Sequence, residues 1–264
     1  MAFFGNSLLS AFGYGMSASD SRHDYFYLIS EYIKTLNPNA TASRKSGVQS
    51  AFETGQTEQE VRGGITTMLN ALTGDETLVA VQLTDNTRDN QQSYLYDVYH
   101  DLFVGIRTKC PSARVVFHGA WYASTWKLDA VKRACEETGV LFITYDGIKG
   151  GEANSYMGAV YETPDGSVQS FSYGDVNSVT ENGTDSDGRK LLNVTFTVTS
   201  QTYNTTYPVD TYSYSGTTLT GTSKYKFITS AGVASHPGNE GFRRIANLFL
   251  YKTGLSDTEE TYQA

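Results

Sequence analysis

Apolar and polar positions follow two regimes along this chain. Up to about residue 150, short apolar runs alternate with longer stretches whose apolar residues recur every three or four positions. Met1 to Phe4 is an apolar run of the kind that forms a buried strand. Tyr25, Leu28, Ile29, Tyr32, Ile33 and Leu36 then line one helical face. Ser21-Arg22-His23-Asp24 opens that helix as a capping box, and Asn37-Pro38 ends it. Residues 40–46 predict a second strand, with Gly47 in the loop beyond. Thr57-Glu58-Gln59-Glu60 caps a helix carrying Val61, Ile65, Met68, Leu69 and Leu72, closed by Gly74. Gly63-Gly64 inside it predicts close approach of a neighbouring backbone. Leu78 to Leu83 is a near-continuous apolar run, as in a strand buried on both faces of a parallel sheet. A helix bearing Leu95, Val98, Tyr99, Leu102, Phe103 and Ile106 stops near Pro111. A strand from Ala113 to His118, a helix marked by Leu128, Val131, Ala134 and Cys135, and a strand from Val140 to Tyr145 complete the series. Strand–helix alternation of this kind predicts a three-layer α/β fold around a five-stranded parallel sheet.

From about 150 to 230 the chain turns rich in Thr, Ser, Tyr, Gly and Asn. Met157 to Tyr161, Pro164-Asp165-Gly166 and Val168 to Tyr173 predict a β-hairpin. Leu192, Val194, Phe196 and Val198 share one face of a strand. Tyr212 to Tyr214 and Lys224 to Ile228 predict further strands. The segment 151–230 is therefore expected to be an all-β insertion with exposed tyrosines, in a core made of residues 1–150 and 231–264. A tyrosine-rich face suits sugars and protein partners alike; a plain structural appendage has the same pattern. Asn182 to Gly188 lacks the leading carboxylate and closing Glu of a calcium loop and predicts a turn. The α/β pattern resumes after His236-Pro237-Gly238, with Phe242, Ile245, Ala246, Phe249 and Leu250 on one helical face. A polar tail beyond Ser256 is expected to be loosely ordered.

Composition narrows the function classes. The 264 residues carry 20 Lys+Arg against 28 Asp+Glu, a net charge of −8. That disfavours nucleic acid and anionic membranes as partners. No 18-residue apolar run is present, and Met1-Ala2-Phe3-Phe4 lacks the basic flank of a signal peptide. The expected location is the cytoplasm or a larger extracellular or virion assembly. Cys110 and Cys135 show no disulfide spacing and read as reduced thiols. His23, His100 and His118 show no metal-ligand spacing, so no metal or cofactor is expected.

Three features fall at consistent places in such a fold. Ser7 follows the first strand, Asn86 follows the strongest strand, and His236 precedes the last helix. Loops at the carboxyl ends of parallel strands gather on one edge of the sheet. A serine with a histidine base and an amide donor for the oxyanion makes an acyl-transfer constellation. In isolation Gly5 to Leu9 reads as a strand end followed by a polar loop, and it is the company of Asn86 and His236 that points to chemistry.

Three sequence blocks resemble those of the SGNH (GDSL-type) hydrolases. Gly5-Asn6-Ser7-Leu8 is similar to the first, with Asn6 where many members have Asp. Gln82-Leu83-Thr84-Asp85-Asn86 is similar to the third, with Thr84 in place of a glycine. Val233-Ala234-Ser235-His236-Pro237 is similar to the last, with Val233 where the family's acid stands. The resemblance implies a flavodoxin-like sheet, Ser7 as nucleophile, His236 as base, and Asn86 with Gly47 in the oxyanion hole. It further implies hydrolysis of short acyl esters, with O-acetyl groups on carbohydrate as the favoured class. With Val233 at the acid position, either a backbone carbonyl or the distant Asp146 is left to orient the imidazole. The alternative function is a non-catalytic scaffold that binds glycan or protein, or assembles with copies of itself, through the insertion.

Overall fold

The computed structural model describes residues 1–11 and 13–263. Its centre is a five-stranded, wholly parallel sheet in the order β2-β1-β3-β4-β5. The strands are β1 (Ala2–Gly5), β2 (Ser43–Lys45), β3 (Leu78–Gln82), β4 (Arg114–His118) and β5 (Leu141–Ile143). This is the flavodoxin-like order, and the expected α/β class holds. All five residues of β3 are buried, in accord with its central place and unbroken apolar run. The edge strand β2 is only three residues long and half-buried, so Ser43, Arg44 and Lys45 cost little there.

The α-helices among the described residues are α1 (Ser7–Ser10), α2 (Tyr25–Leu36), α3 (Ser50–Thr54), α4 (Glu58–Asn70), α5 (Leu95–Lys109), α6 (Thr125–Thr138), α7 (Ala231–Ala234) and α8 (Asn239–Lys252). Successive residues of β1 point to opposite faces. Ala2 and Phe4 join a core with Val61, Met68, Leu102 and Val131 from α4, α5 and α6. Phe3 joins one with Tyr25, Ile29, Phe242 and Phe249 from α2 and α8. The periodic faces read from the sequence are the faces buried, except that Leu36 at the end of α2 is exposed.

The box expected at Ser21 moves by three residues. Asp24 is the N-cap of α2 and accepts from the Tyr27 N–H at 2.9 Å. The helix starts at Tyr25, and a capping side chain must stand immediately before the first helical residue. Asp24 is fully buried because it also pairs with Arg44 at 2.6 Å and accepts from the Gly15 N–H at 2.7 Å. The box at Thr57 and Glu60 forms as expected.

Eight strands lie between residues 160 and 227: β6 (Val160–Glu162), β7 (Gln169–Tyr173), β8 (Val176–Thr184), β9 (Lys190–Val198), β10 (Gln201–Val209), β11 (Thr211–Ser215), β12 (Thr218–Ser223) and β13 (Tyr225–Phe227). They make three antiparallel sheets, β10-β9-β8, β11-β12-β7 and β13-β6. The expected β6–β7 hairpin does not exist. β6 pairs with β13 and β7 with β12, so the first and last strands of the segment meet at its root. Nor are its tyrosines an exposed face. Tyr207 is fully buried, and Tyr173 lies against Phe227 with ring centroids 4.0 Å apart. Tyr161, Tyr203, Tyr212, Tyr214 and Tyr225 are half-buried. With few aliphatic residues available, the rings themselves fill the small core with Leu192, Val194 and Phe196. The turn expected at Asn182 to Gly188 is shorter, because Asn182 to Thr184 finish β8 and only residues 185–188 turn; Asp185 and Asp187 pair with Arg189 at 3.1 and 2.6 Å.

The tail is also more ordered than its composition suggests. The Tyr262 hydroxyl donates to Leu28 O at 2.5 Å, and its backbone exchanges two hydrogen bonds with the Asn247 side chain.

Candidate active site

Ser7 stands where β1 hands over to α1, with Asn6 as the N-cap accepting from the Leu8 N–H at 3.2 Å. The turn is tight: a Cβ on Gly5 would lie 2.6 Å from Leu9 Cβ. His236 lies between α7 and α8. Two further elements fix its loop: Ser17 Oγ donates to Val233 O at 2.7 Å, and Ser155 N–H donates to His236 O at 2.8 Å. Ser7 and His236 are 229 residues apart in sequence, yet Ser7 Oγ and His236 Nε2 are 2.9 Å apart. Each is half-buried.

The other imidazole nitrogen settles the direction of this bond. His236 Nδ1 is 2.8 Å from the carbonyl of Gly232. A carbonyl only accepts, so Nδ1 carries the proton and Nε2 is left to accept from the serine hydroxyl. A backbone carbonyl therefore occupies the place of the missing acid. Asp146 does not reach the ring: it pairs with Lys149 at 3.0 Å and with Thr144 Oγ1 at 2.9 Å. Burial pushes the His236 pKa below its usual 6.5, while the Gly232 carbonyl and the charge of Asp85 resist. The exposed ring of Tyr122 packs edge-on against His236 at 5.3 Å, and its hydroxyl lies 3.2 Å from Ser235 Oγ.

Asn86 follows β3 and is exposed. Thr84, in the turn before it, has φ +93°, a conformation that favours glycine. The position thus keeps a glycine backbone while carrying a β-branched residue. Gly47 follows β2 on the same edge of the sheet, with φ +83° and open space around it. No hydrogen bond found among the described residues joins Gly47 to Ser7, Asn86 or His236.

A buried glutamate and a half-buried aspartate beneath these residues were not singled out from the sequence. The Glu53 side chain accepts from Asn6 Nδ2 at 3.0 Å, from Asn86 N–H at 3.0 Å and from Asn86 Nδ2 at 3.1 Å. Asp85 accepts from Tyr122 N–H at 2.6 Å, from Gln82 Nε2 at 3.1 Å, and from the Asn6 side chain. Burial raises both carboxyl pKa values, and these hydrogen bonds pull the other way. Asn6 thus donates to both acids. An aspartate at that position would set a third carboxylate against two already desolvated ones, which is a physical reason for the amide here. The only hint of Glu53 in the sequence is an acidic residue beside Phe52 in a short apolar stretch.

The other titratable groups have structural settings. His118 is buried, held by the Tyr145 hydroxyl at 2.7 Å, and desolvation drops its pKa to about 3. Cys110 and Cys135 are buried free thiols. Among the described residues no cluster of His, Cys, Asp or Glu is arranged to hold a metal, and no helix is long and apolar enough to cross a membrane.

No family model matches the chain, and no curated protein does. A solved structure of a family two carbohydrate esterase from Clostridium thermocellum in complex with cellohexaose is similar at 17% identity, with a TM-score of 0.41. That similarity covers 59% of this chain and 55% of the other. An active-site mutant of a family two carbohydrate esterase from the same organism is similar at 18% identity and a TM-score of 0.40, over 59% and 55% of the two chains. The chain thus spans just over half the length of these structures, a likeness too distant to assign any residue a role.

Proposed function

We propose that this protein is a serine-dependent esterase. The observation that carries the reading is the 2.9 Å contact between Ser7 Oγ and an imidazole whose far nitrogen is held by a carbonyl. In this reading His236 Nε2 takes the Ser7 proton as the oxygen attacks an ester carbonyl carbon. The oxyanion is met by the Asn86 side-chain amide and by the Ser7 N–H, since the Leu8 N–H is taken by Asn6 Oδ1 and those of Leu9 and Ser10 by Asn6 O. Gly47 remains a candidate further donor on the same edge. The imidazolium returns its proton to the leaving alkoxide as the acyl-enzyme forms. Water, deprotonated by the same imidazole, then releases the acid and restores the serine.

The substrates proposed are short acyl esters, chiefly O-acetyl groups on carbohydrate. A cleft of about 290 Å³ beside the His236 loop is the subsite proposed for the carbohydrate, although Ser7, Asn86 and His236 do not line it. It is lined by Ser19, Asn154, Tyr156 and Asn239, a polar set with one exposed ring, and Ser155 in its wall is bonded to His236 O. A fluorophosphonate probe tests the core claim. It is expected to label Ser7, and Ser7→Ala is expected to lose turnover of a small acetate ester by about 10⁴-fold. An active, unlabelled protein, or an undiminished Ser7→Ala variant, would overturn it.

A further inference from the structure

Resting on that reading, we propose that Glu53 is a positioning residue that sets the orientation of the oxyanion donor and ties it to the nucleophile's own turn. Its side chain is 2% exposed and lies on α3, which belongs to none of the three sequence blocks. Oε1 receives Asn6 Nδ2 and Asn86 N–H, each at 3.0 Å, and Oε2 receives Asn86 Nδ2 at 3.1 Å. One carboxylate therefore grips both the backbone and the side chain of Asn86, and also the residue immediately before Ser7.

The chemistry follows from the donor inventory of an amide. Asn has two N–H donors on nitrogen and an acceptor oxygen, and the wrong flip would present oxygen to an oxyanion. A carboxylate only accepts, so it selects the flip with nitrogen inward. It takes one N–H and leaves the second for substrate. The backbone N–H bond to the same carboxylate restrains the turn, so the donor is aimed before substrate arrives, as electrostatic preorganisation requires.

The rest of the neighbourhood holds the carboxylate in place. Gln91 Nε2 donates to Glu53 O and to Gly55 O, both at 3.1 Å, and fixes the end of α3. Gly64 lets α4 approach: a Cβ there would lie 2.3 Å from Phe52 N. Asp85 and the buried Tyr99 are the titratable groups that face Glu53.

The test is a double-mutant cycle on a small acetate ester. Glu53→Gln turns one acceptor oxygen into a donor that opposes Asn86 Nδ2. It is expected to lower kcat by roughly 10- to 100-fold with KM nearly unchanged, within the range for a lost oxyanion donor. Asn86→Ala is expected to lower kcat by about 10²–10³-fold. The double variant should be no slower than Asn86→Ala, since Glu53 acts through Asn86. Multiplied losses, or an unchanged kcat in Glu53→Gln, overturn the role. If Glu53→Gln fails to fold, exchange of the Asn86 side-chain amide protons in the wild type decides. They should exchange more slowly than those of the exposed Asn37, and equal rates overturn the role. A wild type without esterase activity or Ser7 labelling overturns the esterase reading and this role together. An active wild type with an indifferent Glu53 overturns the role alone.

Discussion

Among the described residues no carboxylate hydrogen-bonds the His236 imidazole, and in the proposed mechanism that has a consequence for pH dependence. The base must be neutral to accept the serine proton, and burial lowers its pKa below 6.5. Lowering the pKa of a base extends its neutral form to lower pH. The acid limb of kcat/KM on a small acetate ester is therefore expected below pH 6.5, with a flat profile above it. A limb above 6.5 would mean that a carboxylate reaches the ring in solution. The same geometry predicts moderate catalysis, because a carbonyl stabilises the imidazolium less than a carboxylate does. At Thr84 a positive φ on a β-branched residue costs on the order of 1–3 kcal/mol, strain of the kind that clusters at functional sites.

Among elements, the short α3 shows how packing serves the site. It is only five residues long, and its position depends on contacts to α4 and to Gln91. The two adjacent glycines of α4 separate packing from helix propensity. A Cβ on Gly63 meets nothing within 4 Å, whereas one on Gly64 meets the backbone of Phe52 at 2.3 Å. Gly63→Ala should therefore stabilise the protein by up to about 1 kcal/mol through helix propensity alone. Gly64→Ala should destabilise it by about 1–3 kcal/mol, the usual cost of overpacking, and slow ester turnover by displacing Glu53. Thermal melts and kcat of the two variants check this. Equal effects at the two positions would remove α3 packing as the cause.

On the scale of the whole molecule, the β segment departs from and returns to the core at one point. Gly158 N–H donates to Ile228 O at 2.8 Å, and Ile228 N–H to Ala159 O at 2.9 Å. The boundary proposed from this lies inside the 151–230 expected from composition. Ala153 is fully buried in the core with α8, and Ser155 holds the His236 loop. Replacing residues 160–227 with a short Gly/Ser linker should leave a folded core, since loop length adds only about 0.6 kcal/mol of closure entropy per doubling. Turnover of a small acetate ester should persist, while turnover of an acetylated oligosaccharide should fall at least tenfold. Circular dichroism and both assays on one purified protein test this. Collapse of the small-ester rate in a folded core would show that the segment builds the site. Equal retention of both rates would make it an assembly or packing element.

What was legible in the sequence is what depends on local order. Short apolar runs marked strands of the sheet, because burial on both faces removes alternation, and periods of three to four residues marked the faces of α2, α4, α5 and α8, because burial of one face imposes them. Ser7, Asn86 and His236 stood out because parallel strands send their carboxyl-end loops to one edge. Contacts that only tertiary structure decides were hidden. β6 reads as the partner of β7, yet pairs with β13 some 60 residues on, since antiparallel pairing leaves no mark in either strand about which partner it takes. The tyrosines of the β segment carry no sign of whether a ring faces solvent or a neighbouring ring. Glu53 has the composition of any surface acid, and only the fold brings Asn6 and Asn86 to its two oxygens, 47 and 33 residues away in the chain. Desolvation and multiple hydrogen bonds give that carboxylate its character, and both arise from three-dimensional enclosure.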